Sequence, residues 1–312
     1  MKSAKQYREE LKKNGVFYTD PKLALKLKSF FPPNIKEIYD PTSGSGNLLN
    51  CFNEDVKKYG QEIDEDTAIE ANNRITNADI RAGDTLMEDK FEGVKFKWII
   101  ANPPFSVKWQ PDKLKDDIRF IGKPLPPPSK ADYAFIYHIL HHLDNDGFAI
   151  VLNAPGILSR GNKEQKCRQY LIDNNYIDSV ISVPSGYFED TKISTALLKI
   201  KKNRGDKQPI HFEDWGQNIN KEVEIKDIIN NNYDLSVNRY IQPKPTIIEN
   251  DKPLPSLEEI TKDISDKTIE SVRQFFELAM KIPQMPNMNN LLDRVQNIVD
   301  DYTKKVISIS KT

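Results

Sequence analysis

The sequence has few residues of the types on which several protein classes depend. Only two cysteines and four histidines occur among 312 residues. Cys51 and Cys167 lie far apart, with no partner at metal-ligand spacing, which excludes a disulfide framework or zinc motif and favours a reducing, cytoplasmic compartment. His138, His141 and His142 share one predicted helix without an acidic ligand nearby in sequence, so we expect packing residues and no metal site.

Long apolar runs are also missing. No run of about 18 apolar residues occurs, and the charged N-terminus is not followed by an apolar segment, so neither a membrane span nor a signal peptide is indicated. The formal net charge of -1 excludes a uniformly basic coat for nucleic acid. Basic residues nevertheless concentrate in residues 2–28, 108–130 and 192–207, which would hold a polyanion if these segments converge on one face.

Short apolar runs that end in turn residues alternate with helical patterns. Glu37–Tyr39, Phe96–Ile100 and Gly147–Leu152 are such runs, and Tyr133–Leu143 and Lys163–Asn174 have helical spacing. This alternation predicts an α/β fold with a doubly wound, mostly parallel sheet. Ligands bind such sheets at the carboxyl ends of the strands, so the residues after each run are candidates for a site.

The composition predicts one large domain and an extension. A hydrophobic content of 38% suffices for one full-sized core, and Ile177–Val183 and Thr195–Lys201 read as a late hairpin. After Tyr240 a proline-punctuated linker leads to two amphipathic helical patterns. We therefore expect an α/β domain over residues 1–245 and a helical extension over residues 246–312, whose helices bind a partner chain or pack on the large domain.

The segment Asp40–Gly46 lies between a predicted strand and a helix start. Gly44 and Gly46 allow the backbone to approach a ligand closely. Asp40 would repel a phosphate but suits an ammonium group such as that of a methionine moiety, and the lysine that ends a phosphate-binding loop is missing. The segment alone is also compatible with an ordinary turn.

Two further acidic residues occupy positions typical of nucleotide sites. Glu62 stands where doubly wound sheets carry a carboxylate for ribose hydroxyls, and we prefer it to Asp64. Asp84 follows Gly83 and would accept a hydrogen bond from an adenine amino group. An acidic helix start and a Gly-Asp turn are the alternatives for these residues.

Asn102-Pro103-Pro104-Phe105 directly follows an apolar strand and is the most specific motif. Methylation of an exocyclic amine requires that the nitrogen lone pair be drawn out of conjugation with the ring. The Asn102 side-chain oxygen and a proline carbonyl would accept the two N–H groups, while the prolines stiffen the backbone. Phe105 would stack on a base swung out of a helix. The motif predicts methylation of an amino nitrogen, with a proline-rich turn as the alternative.

In this order the motifs resemble those of amino-methylating DNA methyltransferases, in particular the modification subunits of type I restriction-modification systems. Residues 14–21, with Gly15–Thr19 at their centre, resemble the family's N-terminal cofactor motif. Its position before the glycine and Asn-Pro-Pro-Phe motifs is the gamma arrangement of N6-adenine enzymes. The resemblance covers roughly residues 14–240 and implies a seven-stranded, Rossmann-like methyltransferase sheet, S-adenosyl-L-methionine as cofactor and a flipped adenine in double-stranded DNA as substrate.

The resemblance also implies a role for each matching residue. Asp40 and Gly44 would hold the methionine end of the cofactor, Glu62 its ribose and Asp84 its adenine. The full cofactor set is Phe17, Thr19, Asp40, Thr42, Gly44, Gly46, Glu62 and Asp84, and the catalytic set is Asn102, Pro103, Pro104 and Phe105. Further candidates for substrate binding are Lys108, Tyr187 and Phe188; either aromatic ring would contact the flipped base or pack in the core.

The sequence also departs from the family pattern. Asp20 replaces a frequent proline, only about fourteen residues precede Gly15 where the family has a long helical domain, and the segment after Tyr240 is too short for a typical target-recognition domain. We therefore expect a separate DNA-specificity subunit as a partner, with a restriction subunit as a further candidate.

Two other functions agree with the same motifs. The Asn-Pro-Pro-aromatic chemistry also serves a protein glutamine or an RNA base, and a degenerate methyltransferase fold would serve as a DNA-binding or assembly subunit. Residues 106–130 favour DNA, because Lys108, Lys113, Lys115, Arg119, Lys123 and Lys130 face only three acidic residues there. We interpret this segment as a mobile loop that closes over a nucleic-acid backbone, or else as a solvated surface excursion.

Overall fold

The computed structural model describes residues 19–186, 194–205 and 208–242, together with Lys262 and Asn297. The chain divides into two compact units, residues 1–244 and 245–312. Apart from Lys262 and Asn297, the two helices predicted after Tyr240 lie outside the described residues, as do Phe17, Tyr187 and Phe188.

The strands of the described part form a single sheet. Their bounds are β1 Glu37–Asp40, β2 Lys57–Glu62, β3 Ala78–Ala82, β4 Phe96–Ala101, β5 Leu143–Asn153, β6 Ile177–Val183, β7 Thr195–Lys201, β8 Ile210–Asp214 and β9 Ile219–Val223. Across the sheet they follow the order β3-β2-β1-β4-β5-β7-β6-β8-β9. The chain thus starts in the middle of the sheet, moves to one edge, and returns to build the other half.

Strand direction confirms the predicted doubly wound α/β sheet. β3, β2, β1, β4 and β5 are parallel neighbours, whereas β7 runs antiparallel between β5 and β6 and confirms the late hairpin. β8 is parallel to β6, and β9 is antiparallel to β8. The sheet is two strands wider than the seven expected, because β8 and β9 extend it beyond β6.

Helices flank the sheet on both faces. Their bounds are α1 Pro21–Lys28, α2 Asn47–Asn50, α3 Glu65–Arg74, α4 Pro111–Leu114, α5 Asp132–His142, α6 Asn162–Asp173, α7 Ile225–Asn230 and α8 Val237–Tyr240, with a 3-10 turn at Pro155–Leu158. Within the described residues no helix is long and apolar enough to cross a membrane.

The apolar side chains of the strands alternate between two cores. In β4, Ile99 and Ala101 join the cluster that contains α5 and α6, whereas Ile100 joins the cluster that contains α1 and α3. Neighbouring β5 follows the same rule with Val151 and Ile150. Because successive strand residues point to opposite faces, an apolar run is needed wherever both faces are covered.

Local side-chain contacts explain where α1 and α3 begin. The Asp20 carboxylate accepts a hydrogen bond from the Lys22 backbone N–H at 2.6 Å, and Pro21 occupies a position where no N–H is needed. The Asp64 carboxylate likewise accepts from Thr67 at 2.9 Å. Asp20, a departure from the family pattern, is thus the N-cap of α1.

Residues 106–130 pack on the core through several apolar side chains, so the alternative of a solvated surface excursion is wrong. Trp109, Leu114 and Phe120 are buried, and the Trp109 indole N–H donates to the Pro127 carbonyl at 3.0 Å. Arg119 is only 3% exposed and is therefore not available to a nucleic-acid backbone. The apolar side chains that alternate with the basic ones in this segment pack into the hydrophobic core.

We expect Gly147→Ala to destabilise the sheet where β5 passes β4. A Cβ at this position would clash with the Lys97 carbonyl oxygen and lie 2.7 Å from the Lys97 carbonyl carbon. Backbone of a paired strand cannot move aside as a side chain does, so the free energy of unfolding in urea should fall by about 1–3 kcal/mol.

Gly161→Ala is the matched control, because its Cβ would have no atom within 4 Å and its φ is -80°. Equal unfolding free energies for the two variants would contradict the role assigned to Gly147.

Candidate active site

The polar residues singled out in the sequence lie at the carboxyl ends of four neighbouring strands. β3, β2, β1 and β4 are adjacent in this order. Glu62 and Asp40 end β2 and β1, Asn102 directly follows β4, and Asp84 follows β3 after one glycine. Since these strands are parallel, all four side chains belong to one edge of the sheet.

Asp40 is a buried carboxyl at the centre of this edge. Its Oδ1 accepts hydrogen bonds from the Thr42 backbone N–H at 2.9 Å and the Thr42 hydroxyl at 3.4 Å. Burial raises the pKa of Asp40 to about 7, and the bonds from Thr42 oppose this only in part. A cation placed next to the carboxyl would favour its ionised form.

The turn after Asp40 is fixed by backbone contacts. Gly46 begins α2 with a φ of +77°, and a Cβ there would clash with the Ile75 side chain, so only glycine fits. The Gly46 N–H donates to the Ser43 carbonyl at 2.7 Å. One further N–H of this turn, that of Gly44, donates to Glu62 Oε2 at 2.8 Å and joins β1 to β2.

Glu62 is held by both of its oxygens. Besides the Gly44 contact, Oε1 accepts from the Asp64 backbone N–H at 3.0 Å. Burial raises the pKa of Glu62, while these hydrogen bonds favour its ionised form. Asp64, the alternative to Glu62, uses its carboxylate to cap α3.

The Asp84 loop is fastened from two directions. Asp84 Oδ1 accepts from the Leu86 N–H at 2.9 Å, and the Thr85 hydroxyl donates to the Pro41 carbonyl beside Asp40. From the segment 106–130, the Arg119 guanidinium donates to the carbonyls of Thr85 at 2.7 Å and Leu86 at 2.6 Å. The loop is therefore tied both to the glycine turn and to the segment 106–130.

Asn102 is in contact with the N-terminal motif. Its Nδ2 donates to the Thr19 hydroxyl at 3.1 Å across 83 residues of sequence. Pro103 is buried, whereas Asn102, Pro104 and Phe105 are half-buried at the surface of the site. The Thr19 contact directs the amide nitrogen of Asn102 towards α1 and leaves the acceptor oxygen on the other branch of the side chain.

One cavity of about 580 Å³ connects these residues. Of the predicted site residues it is lined by Thr19, Asp40, Thr42, Gly44, Glu62, Asp84, Asn102, Pro104 and Lys108. Gly46, Pro103 and Phe105 are not among its lining residues. The structure thus brings most of the predicted set around a single space.

Several lining residues were missed in the sequence. Phe135 of α5, Ile63 after β2, and Trp109 and Gln110 of the segment 106–130 also line the cavity. Phe135 looks like an ordinary core position in sequence, because apolar residues surround it, and Trp109 stands between the polar residues Lys108 and Gln110. Only the packing of segment 106–130 against the strand ends makes them part of the wall.

Asp89, His138 and His142 have potential metal-ligand atoms within 4.8 Å of one another. His142 contacts the Val94 carbonyl at 2.8 Å and an Asp89 carboxylate oxygen at 2.9 Å through its two ring nitrogens. Both ring nitrogens of His142 are therefore engaged by oxygen atoms of the protein.

Both ring nitrogens of His138 are also hydrogen-bonded. It meets the Tyr39 hydroxyl at 3.1 Å and the Arg119 guanidinium at 3.0 Å, and burial lowers its pKa well below the usual range. Although burial opposes ionisation of Asp89, the hydrogen bond and charge of His142 hold the pKa of Asp89 well below its ordinary value. The cluster is thus a hydrogen-bonded network beneath the Asp84 loop.

Comparison with known proteins gives the family of the chain. A model of the N-6 DNA methylase family matches residues 4–223. The methylase subunit of the type I restriction enzyme MpnII from Mycoplasma pneumoniae is 33% identical over 290 residues, covering 74% of this chain and 53% of the relative. The MjaIX methylase subunit from Methanocaldococcus jannaschii is 29% identical over 217 residues, covering 63% and 39%. The chain spans about half the length of these relatives or less.

Solved structures share the fold. The methyltransferase subunit of a type I restriction-modification system from Streptococcus thermophilus is 30% identical, with a TM-score of 0.64 over 72% of this chain and 59% of that one. The EcoKI M protein, 21% identical, shares the fold with a TM-score of 0.52 over 63% of this chain and 48% of that one. Since the family model spans well over half of the sequence, the chain belongs to the N-6 DNA methylase family, as the order of its motifs predicted.

Proposed function

We propose that this chain transfers a methyl group from S-adenosyl-L-methionine to N6 of a flipped adenine in double-stranded DNA, as the modification subunit of a type I-like restriction-modification system. One observation carries the proposal. Three carboxyl side chains, those of Asp40, Glu62 and Asp84, line the same cavity as Asn102 and Pro104 of the catalytic tetrapeptide. The cavity therefore offers adjoining positions for the donor and the acceptor of the methyl group.

The residues of the cavity fit S-adenosyl-L-methionine. Asp40, whose buried carboxyl gains from a cation, would hold the ammonium of the methionine end together with the Gly44 turn. Glu62 would accept from the ribose hydroxyls. Asp84 Oδ1 binds its own loop, and the second carboxyl oxygen would accept from the adenine amino group. When bound, the cofactor supplies an electrophilic methyl group on a sulfonium sulfur.

The tetrapeptide prepares the nitrogen that receives the methyl group. The Asn102 Oδ1 atom and the Pro103 carbonyl would accept the two N–H groups of the target adenine, which shifts the nitrogen towards tetrahedral geometry and localises its lone pair. Thr19 keeps Asn102 in position through the 3.1 Å hydrogen bond. Phe105, and Lys108 at the exposed rim, would contact the flipped base and its backbone.

The proposed partners are a DNA-specificity subunit and a restriction subunit. Two relatives that support this are named as methylase subunits of type I restriction enzymes. Within the described residues 106–130, Arg119 is buried, so the number of cations offered to DNA is smaller than the sequence suggests. Tight binding of a specific duplex would then need the second subunit.

We expect Asn102→Ala to lower kcat for methyl transfer by about 10²–10³, because one acceptor for the amino group is lost. With tritiated S-adenosyl-L-methionine and an adenine-containing duplex, the chain assayed together with its specificity partner should give labelled N6-methyladenine. Asn145→Ala, at an exposed asparagine remote from the cavity, is the control and should retain full activity.

Label on a protein glutamine or on RNA, with none in DNA, would replace the proposed substrate. Cofactor binding without transfer to any acceptor, unchanged by Asn102→Ala, would instead indicate a degenerate methyltransferase fold that serves in DNA binding or assembly.

Asp40→Asn should weaken cofactor binding while stabilising the free protein above pH 7. The pKa of Asp40 rises from 3.8 to about 7 on folding, so the folded state retains a proton that the unfolded state releases, and stability falls as pH rises through this window. The gain in Tm of the variant over the native protein should therefore be larger at pH 8 than at pH 5. Calorimetry should show cofactor affinity of the native protein rising through pH 7 and that of the variant staying low.

Asp64→Asn is the matched control, for which the expected change in Tm has the opposite sign. Hydrogen bonds from Thr67 lower the pKa of Asp64, so its ionised form stabilises the folded protein at neutral pH and its loss should reduce Tm at pH 8. A Tm difference for Asp40→Asn that is independent of pH would contradict the assignment of Asp40.

The chain should co-purify with a DNA-recognition protein when expressed with its neighbouring reading frames. Methylation of one defined duplex sequence should then require that protein, as measured by mapping N6-methyladenine. Sequence-specific methylation by the chain alone would contradict recognition in trans.

A further inference from the structure

Ser106, the residue directly after Phe105, has an unusual backbone conformation. Its φ is +54°, in the left-handed region that residues with a Cβ rarely adopt. The residue is also exposed, so burial of its side chain does not explain the conformation. Some contact with the rest of the protein must hold this backbone in place.

Two side chains from other elements supply such contacts. Asp132, the first residue of α5, accepts the Ser106 backbone N–H through Oδ1 at 3.2 Å. Arg160, which follows the 3-10 turn after β5, donates from Nη1 to the Ser106 hydroxyl at 3.4 Å. The backbone and side chain of one residue are therefore both bound.

Arg160 is itself fixed by buried carboxylates. Its Nε and Nη2 lie 3.0 and 2.9 Å from Glu164 Oε1, and Nη2 lies 3.5 Å from Asp132 Oδ2. Asp132 is 2% exposed and Glu164 is 4% exposed. Two acidic side chains removed from water share this one cation, so loss of the guanidinium would leave both carboxylates without their common partner.

The position of this cluster relates it to the tetrapeptide rather than to the cofactor pocket. Asp132, Arg160 and Glu164 are not among the residues that line the cavity. They join α5, the end of β5 and α6 at the point where the chain leaves β4 through Asn102–Phe105. A shift of Ser106 would be passed directly to Phe105 through the peptide bond.

We propose that Arg160 is a positioning residue, and that the Asp132–Arg160–Glu164 clamp holds Ser106 in its left-handed conformation and so directs Phe105 and the Pro103 carbonyl towards the target base. The inference rests on the proposed function, because it assigns a purpose to the geometry of the tetrapeptide. It adds three residues that bind neither cofactor nor base and act through Ser106.

Arg160→Lys tests the clamp, because lysine keeps the charge but has a single donor group in place of the guanidinium fork. We expect the single-turnover rate of methyl transfer to fall roughly tenfold to a hundredfold, since small displacements of reacting groups have effects of this size. The Kd for S-adenosyl-L-methionine should not change, because the clamp lies outside the cavity. Arg204→Lys, at a buried arginine beside Asp178 on the far half of the sheet, is the matched control and should leave the rate unchanged.

A second substitution separates positioning from general stabilisation. Glycine adopts the left-handed conformation without a steric penalty, so Arg160→Lys combined with Ser106→Gly should recover part of the lost rate. Arg160→Lys combined with Ser106→Ala should recover none, because alanine keeps the Cβ. A merely structural role of Arg160 predicts no difference between the two double variants.

Hydrogen exchange of the Ser106 amide gives a readout that does not depend on activity. The amide should be protected in the native chain, and Arg160→Lys should accelerate its exchange while Arg204→Lys does not. Unchanged exchange, or a rate loss equal in the Gly and Ala double variants, would overturn the clamp. A native chain that transfers no methyl group would overturn the proposed function alone, and hydrogen exchange would still decide whether the clamp exists.

Discussion

The parallel pairing of β1 with β4 is the constraint on which the rest of the site depends. Tyr39 pairs with Ile99 in this register, so the two strands end side by side, one on Asp40 and the other just before Asn102. These two residues are separated by more than sixty positions in sequence, and no local interaction links them. Since β2 and β3 continue the parallel order beyond β1, Glu62 and Asp84 reach the same edge, and the loops that follow the strands must share one space.

Two buried carboxyl groups in this space lower the stability of the free protein when they are ionised. Burial raises the pKa of both Asp40 and Glu62, and the hydrogen bonds from the glycine turn compensate only in part. A carboxyl group that is destabilised when ionised in the free protein has much to gain from a cationic ligand. The fold tolerates this because two apolar clusters cover the sheet on its two faces.

Arginine has a supporting role at both ends of the candidate site. Arg119 joins the Asp84 loop to the segment 106–130, and Arg160 joins the residue after the tetrapeptide to α5 and α6. In each case one planar group with several donors meets acceptors from separate elements, which a lysine cannot do with the same geometry. Arg119, which belongs to a basic segment in the sequence, is buried here and joins internal elements, so the segment 106–130 has one cation fewer at its surface.

The sequence by itself determined the sheet, its winding and the identity of the motifs. The apolar runs before Asp40, Asn102 and Pro155 are local signals of strands. Glycine and proline after a strand are local signals too, because they act through the backbone conformation of their own position. Both kinds of signal can be recognised without tertiary information. Packing decided what has no local signature: the two additional edge strands, the contact between Thr19 and Asn102, the burial of Arg119, and the entry of Trp109 and Phe135 into the cavity wall. Each of these depends on which distant residues meet, because exposure and hydrogen bonding are properties of neighbours in space and not of neighbours in the chain.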